Sequence, residues 1–245
     1  MKNRISVLSA VLLVSVVVLG QQNKVGPDGN PVPVPVTEDK YHSLLFENQF
    51  ARVFRVELPP QKATLLHKHP YDYMIITLSD GDIESARGIA SFMTYICPRG
   101  DVRFMHGPIN HQLRNPEGMI THRNITVEIR RNSEQPYAYP ATIESLQDYD
   151  VVPPPLDHRV TYQAVLDRDT VRASRVQILP GESLVVAKVG GPLLVVPLED
   201  LELKAEGGET AAYRGDDVLW DPNAFHRKLT NTASLPARFV LLEFK

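Results

Sequence analysis

The chain has 245 residues, 43% hydrophobic and 22% charged, an ordinary globular composition with length for one large domain or two small ones. Twenty-six basic residues against 29 acidic ones give a net charge of −3. No basic excess is there to neutralise a phosphate backbone, so nucleic acid is not expected as a partner. The single cysteine, Cys97, excludes an internal disulfide framework and a multi-cysteine zinc site, and twenty prolines argue against a helical bundle.

In chain order, Lys2 and Arg4 precede an apolar run from Ile5 to Leu19 broken only by serines. A spanning helix needs roughly 20 apolar residues, so residues 1–20 read as a cleaved secretory signal, with Val18 and Gly20 small enough for a cut before Gln21. A short uncleaved anchor is the alternative. The expected location is secreted or periplasmic, with no membrane contact after cleavage. Residues 21–40 carry Pro31, Pro33 and Pro35 in alternation with valines. Proline fixes φ and removes a donor, so this stretch is expected to be an extended tether.

From Tyr41 onward, short runs rich in β-branched and aromatic residues alternate with turn residues: Phe50–Leu58, Met74–Leu78, Arg103–Met105 and Ile125–Ile129. Many short strands at close spacing predict an all-β barrel or sandwich. Ala141–Tyr149 is the one stretch that reads as a short helix. The second half repeats the first. Arg52, Arg55, Val56 and Pro60 coincide with Arg172, Arg175, Val176 and Pro180 at an offset of 120. Gly100-Asp101 followed by His111 matches Gly215-Asp216 followed by His226 in spacing. The expected organisation is a first unit over 41–132, a polar, proline-rich connector over 133–167 and a second unit over 168–245. Each unit is small for an isolated core, so the two are expected to pack against each other.

His67-Lys68-His69 ends an apolar run, and residues i and i+2 of a strand face the same way. His111 follows on a later strand. Three imidazoles on neighbouring strands can form three corners of a metal site. Imidazole suits iron, zinc, copper and nickel, and three protein ligands leave positions open for water or substrate. Ala187 and Val189 occupy the corresponding places in the second unit, where only His226 is kept. His106 reads as a surface turn residue or as a residue joining or flanking the site, Cys97 as a buried small hydrophobe and Trp220 as a packing residue; His42, His122 and His158 carry no spacing signal.

In these spacings the sequence resembles the cupin superfamily, whose signature has two parts, G(X)5HXH(X)3-4E(X)6G and G(X)5PXG(X)2H(X)3N. Gly100, His106-Gly107-Pro108, His111 and Asn115 keep the second spacing, with His106 and Pro108 in place of proline and glycine. Gln61, His67, His69 and Gly81 keep the first, with Gln61 in place of glycine. The place of the glutamate falls on Tyr73 or Met74, so no carboxylate stands there. The resemblance implies two cupin-type double-stranded β-helix (jelly-roll) barrels, the front one binding metal and the rear one degenerate. It implies one divalent ion on His67, His69 and His111, with Tyr73 beside it as the candidate catalytic residue. Without an anionic ligand, Fe, Zn or Ni is favoured over Mn, which prefers oxygen. A homodimer formed through edge strands is also in keeping with the resemblance. Two functional classes follow: an exported, oxygenase-like metal-dependent enzyme acting on a small organic molecule, or a non-catalytic small-ligand-binding module of the cell envelope.

Overall fold

A computed structural model describes residues 21–116, 120–131, 144–145, 159–186, 191–222 and 227–245. The expected signal, His158, Ala187, Val189 and His226 lie outside the described residues. Within them the chain is built from strands, with one 3-10 turn at Val36–Glu38 and no α-helix. No helix among them is long and apolar enough to cross a membrane.

The front barrel has two sheets. One runs Met93–Ile96, Asp82–Arg87, Ile109–Asn115, His67–His69, Val34–Pro35, with Lys62–Ala63 also pairing with Ile109–Asn115. The other runs Glu144–Ser145, Val102–Met105, Tyr73–Thr77, His122–Ile129, Ala51–Leu58, His42–Glu47. The rear barrel repeats the plan. Val160–Asp167, Val171–Ile178, Ala237–Phe244, Leu193–Pro197 and Leu219–Asp221 form one sheet, and Ser183–Val186, Arg227–Asn231, Leu201–Ala205 and Thr210–Tyr213 the other. This is the all-β architecture that the short strands predict, built twice as the internal repeat and the resemblance imply.

Period-two alternation explains why Ala51–Leu58 and Val171–Ile178 are buried along nearly their whole length. One face of each strand fills its own barrel, as Val176 and Ile178 do in the rear one. The other face enters an apolar cluster common to both barrels. Ala51, Val53, Ile76 and Val127 from the front meet Val171, Ala173, Val196 and Phe244 from the rear. One arginine of each repeated pair, Arg55 in front and Arg175 behind, lies on this second face. Arg55 donates to the Asp216 carbonyl at 2.9 Å, and Arg175 donates to the Gly100 carbonyl at 2.8 Å. Each barrel thus reaches into the Gly-Asp turn of the other, which is why those landmarks recur in the sequence. Trp220 packs on Phe46, Phe50 and Phe244 at the same junction.

Three boundaries differ from the sequence-based expectation. The 21–40 segment is extended but does not hang free. Val34 pairs with His67 in parallel register, and Val34 and Val36 are fully buried. The prolines of an edge strand point their missing donors outward, while the intervening valines face the barrel. The tail of the expected connector, Val160–Asp167, is a strand of the rear barrel paired with Val171–Ile178. Within the stretch expected to be helical, Glu144–Ser145 pair with Arg103 and Phe104 as a strand, and its other residues lie outside the described ones.

Two of the signature's polar and glycine positions have structural causes. Asn115 is buried, and its amide donates to the carbonyls of Leu58 and Ile120; Asn231 does the same to Ile178 and Leu235 in the rear barrel. Gln61 takes φ of +59°, a left-handed conformation that favours glycine, and its rear-barrel counterpart is Gly181 at +77°. Gln61→Gly is therefore expected to raise stability by roughly 0.5–1 kcal/mol, the strain relieved less the chain entropy that glycine adds. A lower melting temperature for this variant would contradict that reading.

Candidate metal centre

Strand geometry brings the three motif histidines together. In His67–His69 the two imidazoles point into the barrel while Lys68 is exposed. His111 lies directly opposite His67 in antiparallel register. The ring centroids stand 5.0 Å apart for His67 and His69, 4.5 Å for His67 and His111, and 5.2 Å for His69 and His111. All three are essentially inaccessible to solvent.

A fourth histidine joins them. His42 opens the strand His42–Glu47, its ring 4.6 Å from that of His67 and 6.2 Å from that of His69. Among the described residues, His42, His67 and His69 bring their ligand atoms within 4.8 Å of one another. Nitrogens about 2.0–2.1 Å from one ion at tetrahedral angles lie roughly 3.3–3.4 Å apart, so binding an ion draws these rings inward by up to roughly 1.4 Å. His111 stands beside His67 and His69, outside that tightest group. His42 lies in neither part of the signature. Its one local signal is Asp39 three residues earlier.

Each ring is held through its Nδ1. That of His69 contacts Glu128 at 2.8 Å, that of His67 the Leu65 carbonyl at 2.8 Å, and that of His42 the Asp39 carboxylate at 3.1 Å. Ser85 lies 3.4 Å from that of His111. Donation from Nδ1 to a carboxylate or carbonyl sets the tautomer and leaves Nε2 as the lone-pair donor, the usual outer shell of a metal-binding histidine. The Nε2 atoms of His67 and His111 are buried and have no hydrogen-bond partner in the protein. Burial and the neighbouring His42 push His67 down to about 3, and burial holds His69 and His111 well below the usual histidine range. At neutral pH all three are uncharged, the form in which imidazole coordinates.

The carboxylate missing from the signature's glutamate position stands one strand away. Glu128 is the cross-strand partner of Tyr73, fully buried between His69 and Arg52, with the Arg52 Nε 3.0 Å from its second oxygen. Burial pushes its carboxyl up to about 7 against the pull of Arg52. Its role here is to hold His69. Asp72, next in sequence to Tyr73, accepts from the Gly107 backbone N–H at 2.9 Å and takes no part in the centre.

Tyr73 stacks on His69, ring centroids 4.2 Å apart. Its hydroxyl is buried without a partner in the protein, and burial raises it far enough to stay protonated. From Tyr73 and His111 a cavity of about 50 Å³ runs down the barrel interior. His106 is neither in the centre nor on the surface. Its ring is enclosed against Phe104, with Nδ1 3.8 Å from Asp72. Cys97 is buried in the cavity wall, its thiol pushed up to about 11 by that burial, so it is a packing residue and not a nucleophile.

No protein-family model and no curated protein matches the chain. Solved structures do match it in fold. A cupin 2 conserved barrel domain protein from Leptotrichia buccalis is 11% identical, with 83% of this chain and 88% of that one covered at a TM-score of 0.55. A Bacillus subtilis oxalate decarboxylase with Mn(II) centres is 12% identical, with 81% and 70% covered at 0.56. A salicylate 1,2-dioxygenase from Pseudoaminobacter salicylatoxidans, solved with gentisate, is 12% identical, with 87% and 75% covered at 0.59. At these identities the likeness is one of architecture. With the histidine spacing and the paired barrels, it gives this chain the fold of the cupin superfamily, built twice.

Proposed function

We propose that the protein is a metal-dependent enzyme. His67, His69 and His111 hold one divalent ion, His42 stands at a fourth position, and a small organic substrate occupies the adjoining cavity. The observation that carries this reading is the arrangement of the rings. Their Nδ1 atoms are anchored, and the buried Nε2 atoms of His67 and His111 lack any protein partner. Such orphaned nitrogens are costly unless something binds them. The donor set fits a borderline or soft divalent ion. All the facing atoms are neutral nitrogens, and both nearby carboxylates, Asp39 and Glu128, are turned to histidine Nδ1 atoms. That favours iron, nickel or zinc over manganese.

When bound, such an ion supplies Lewis acidity and, in the case of iron, chemistry with oxygen. The chain's own residues do the rest. Glu128 and Asp39 fix the orientation of two ligands. The barrel wall excludes bulk water. Tyr73 presents a protonated hydroxyl beside the centre and is placed to donate to a substrate oxygen as charge develops on it. This hydroxyl favours an enzyme over a passive binding module, which needs no donor at that position.

Oxygen uptake with a panel of small acids and phenols, on protein loaded with iron(II), tests the reading. Tyr73→Phe is expected to lower kcat by about 10²-fold with metal content unchanged. Equal turnover in that variant would remove Tyr73 from the chemistry, and silence across the whole panel would favour the binding module. Export through a signal over 1–20 belongs to the same proposal, and sequencing the amino terminus of the secreted or periplasmic protein for Gln21 tests it.

A further inference from the structure

The cavity that starts at the histidines has a second polar end, which the metal centre leaves unexplained. Its long axis can be read from register. Tyr73 and Thr77 both line it, four residues apart on one strand, or about 13 Å at the rise of a strand. Tyr73 is level with Glu128, and Thr77 is level with Asn124. Between the two ends the wall is apolar, with Ile83, Cys97 and Leu113 in one buried cluster.

At the far end stands His122, 5% exposed. Thr126 donates to the Asn124 side-chain oxygen at 2.9 Å, which turns the Asn124 amide nitrogen toward His122 Nε2 at 3.2 Å. His122 Nε2 is then the acceptor, and Nδ1 carries the hydrogen. That Nδ1 is buried and has no partner in the protein, while the ring lines the cavity. A buried donor without an acceptor costs on the order of 1–3 kcal/mol, which a ligand can repay.

An arginine stands at each end of the cavity, Arg87 opposite His111 and Arg103 toward His122, and the His122 end adds a buried hydrogen-bond donor without a partner. Arg103, 7% exposed, lines the cavity, donating from Nε to Asp101 at 2.6 Å and from Nη2 to the Ile96 carbonyl. Asp101 also faces Arg175 at 3.8 Å, so one carboxylate serves two guanidinium groups. No described residue of the cavity wall is an aspartate or a glutamate.

We propose that the His122 end of this cavity is a carboxylate-recognition site, and that the ligand is a short, narrow organic acid whose apolar body extends from there toward the histidine centre. The acid group is held by His122 Nδ1–H in the field of Arg103. The opposite end of the molecule points toward Tyr73 and His111. The proposal takes its reacting end from the metal-centre reading, but carboxylate binding at His122 stands without the ion.

The test is calorimetric titration of the full chain, metal-free and metal-loaded, with acetate, propanoate and butanoate, each beside its neutral amide. At least one acid is expected to bind about tenfold or more tightly than its amide. His122→Leu is expected to abolish that preference without changing metal content, and His122→Gln, which keeps a donor, to retain part of it. The proposal is overturned if the wild-type chain binds the acids no better than the amides, or if His122→Leu keeps the preference. A wild-type chain that shows the preference but holds no metal would support this site while sinking the metal-centre reading. Should His122→Leu fail to fold, the wild-type comparison and His122→Gln still decide.

Discussion

Replacing Asp39 with alanine is expected to cost the folded chain about 3–5 kcal/mol, the range for leaving buried partners of a charge uncompensated. Asp39 is 1% exposed and anchors three elements at once. Its carboxylate accepts from the backbone N–H of Tyr41 and Leu65, from His42 Nδ1 and from the Gln21 amide. Burial works against its charge, yet the hydrogen bonds, that of His42 foremost, hold its carboxyl below the usual carboxylate range. Alanine would orphan the two backbone donors and release His42 together with the segment that bears Val34. A folded domain has only about 5–15 kcal/mol of stability in total, so urea unfolding should show a large shift of the midpoint. Asp39→Asn, which keeps an acceptor but loses the charge, should fall between. A loss below about 1 kcal/mol for Asp39→Ala would mean that the amino-terminal strap is not part of the fold's support.

Acid is the second strong lever. His67 titrates near 3 in the folded chain against 6.5 when unfolded. Between those values the unfolded chain binds the extra proton, so stability falls as pH drops below about 6.5. At about 1.4 kcal/mol per unit, His67 alone removes roughly 2 kcal/mol by pH 5. His69 and His111 are lowered as well and act with the same sign. Glu128 opposes them. Its carboxyl is raised to about 7, so the folded chain binds its proton first and gains stability as pH falls from 7 toward 4.5. His122, pushed down to about 4 by burial, adds to the three histidines, so one carboxyl stands against four histidines and the metal-free protein should lose stability steeply from pH 6.5 to 5. His67→Gln should flatten that profile, and Glu128→Gln should steepen it. A wild-type profile flat across this window would contradict the burial of neutral imidazoles.

Much of this is legible in the sequence, for reasons that differ from residue to residue. His67, His69 and His111 stood out because a strand repeats every two residues and the intervening spacings are set by turns at Gly81 and Gly100, both at positive φ. The duplication was visible in part because Arg55, Arg175 and their target turns hold the two barrels together and so recur at matched spacing. His42 was not legible, since it enters the site from a strand outside both parts of the signature. Glu128 was hidden for another reason. It lies in an ordinary alternating strand, Thr126-Val127-Glu128-Ile129, and only pairing with Tyr73 places it behind His69. The proline-rich segment misled through composition. Pro33 and Pro35 suggested a linker, whereas Val34 and Val36, one position out of phase, carry the contact with the barrel.

The most direct test of the central claim, that imidazoles from separate strands converge on one ion, is metal content per chain. Purified protein would be loaded anaerobically with iron(II), nickel or zinc, dialysed and measured by mass spectrometry. One equivalent is predicted for the wild type, with losses in His67→Ala, His69→Ala and His111→Ala and a weaker hold in His42→Ala. No retained metal in the wild type, or an undiminished equivalent in all four variants, would contradict it.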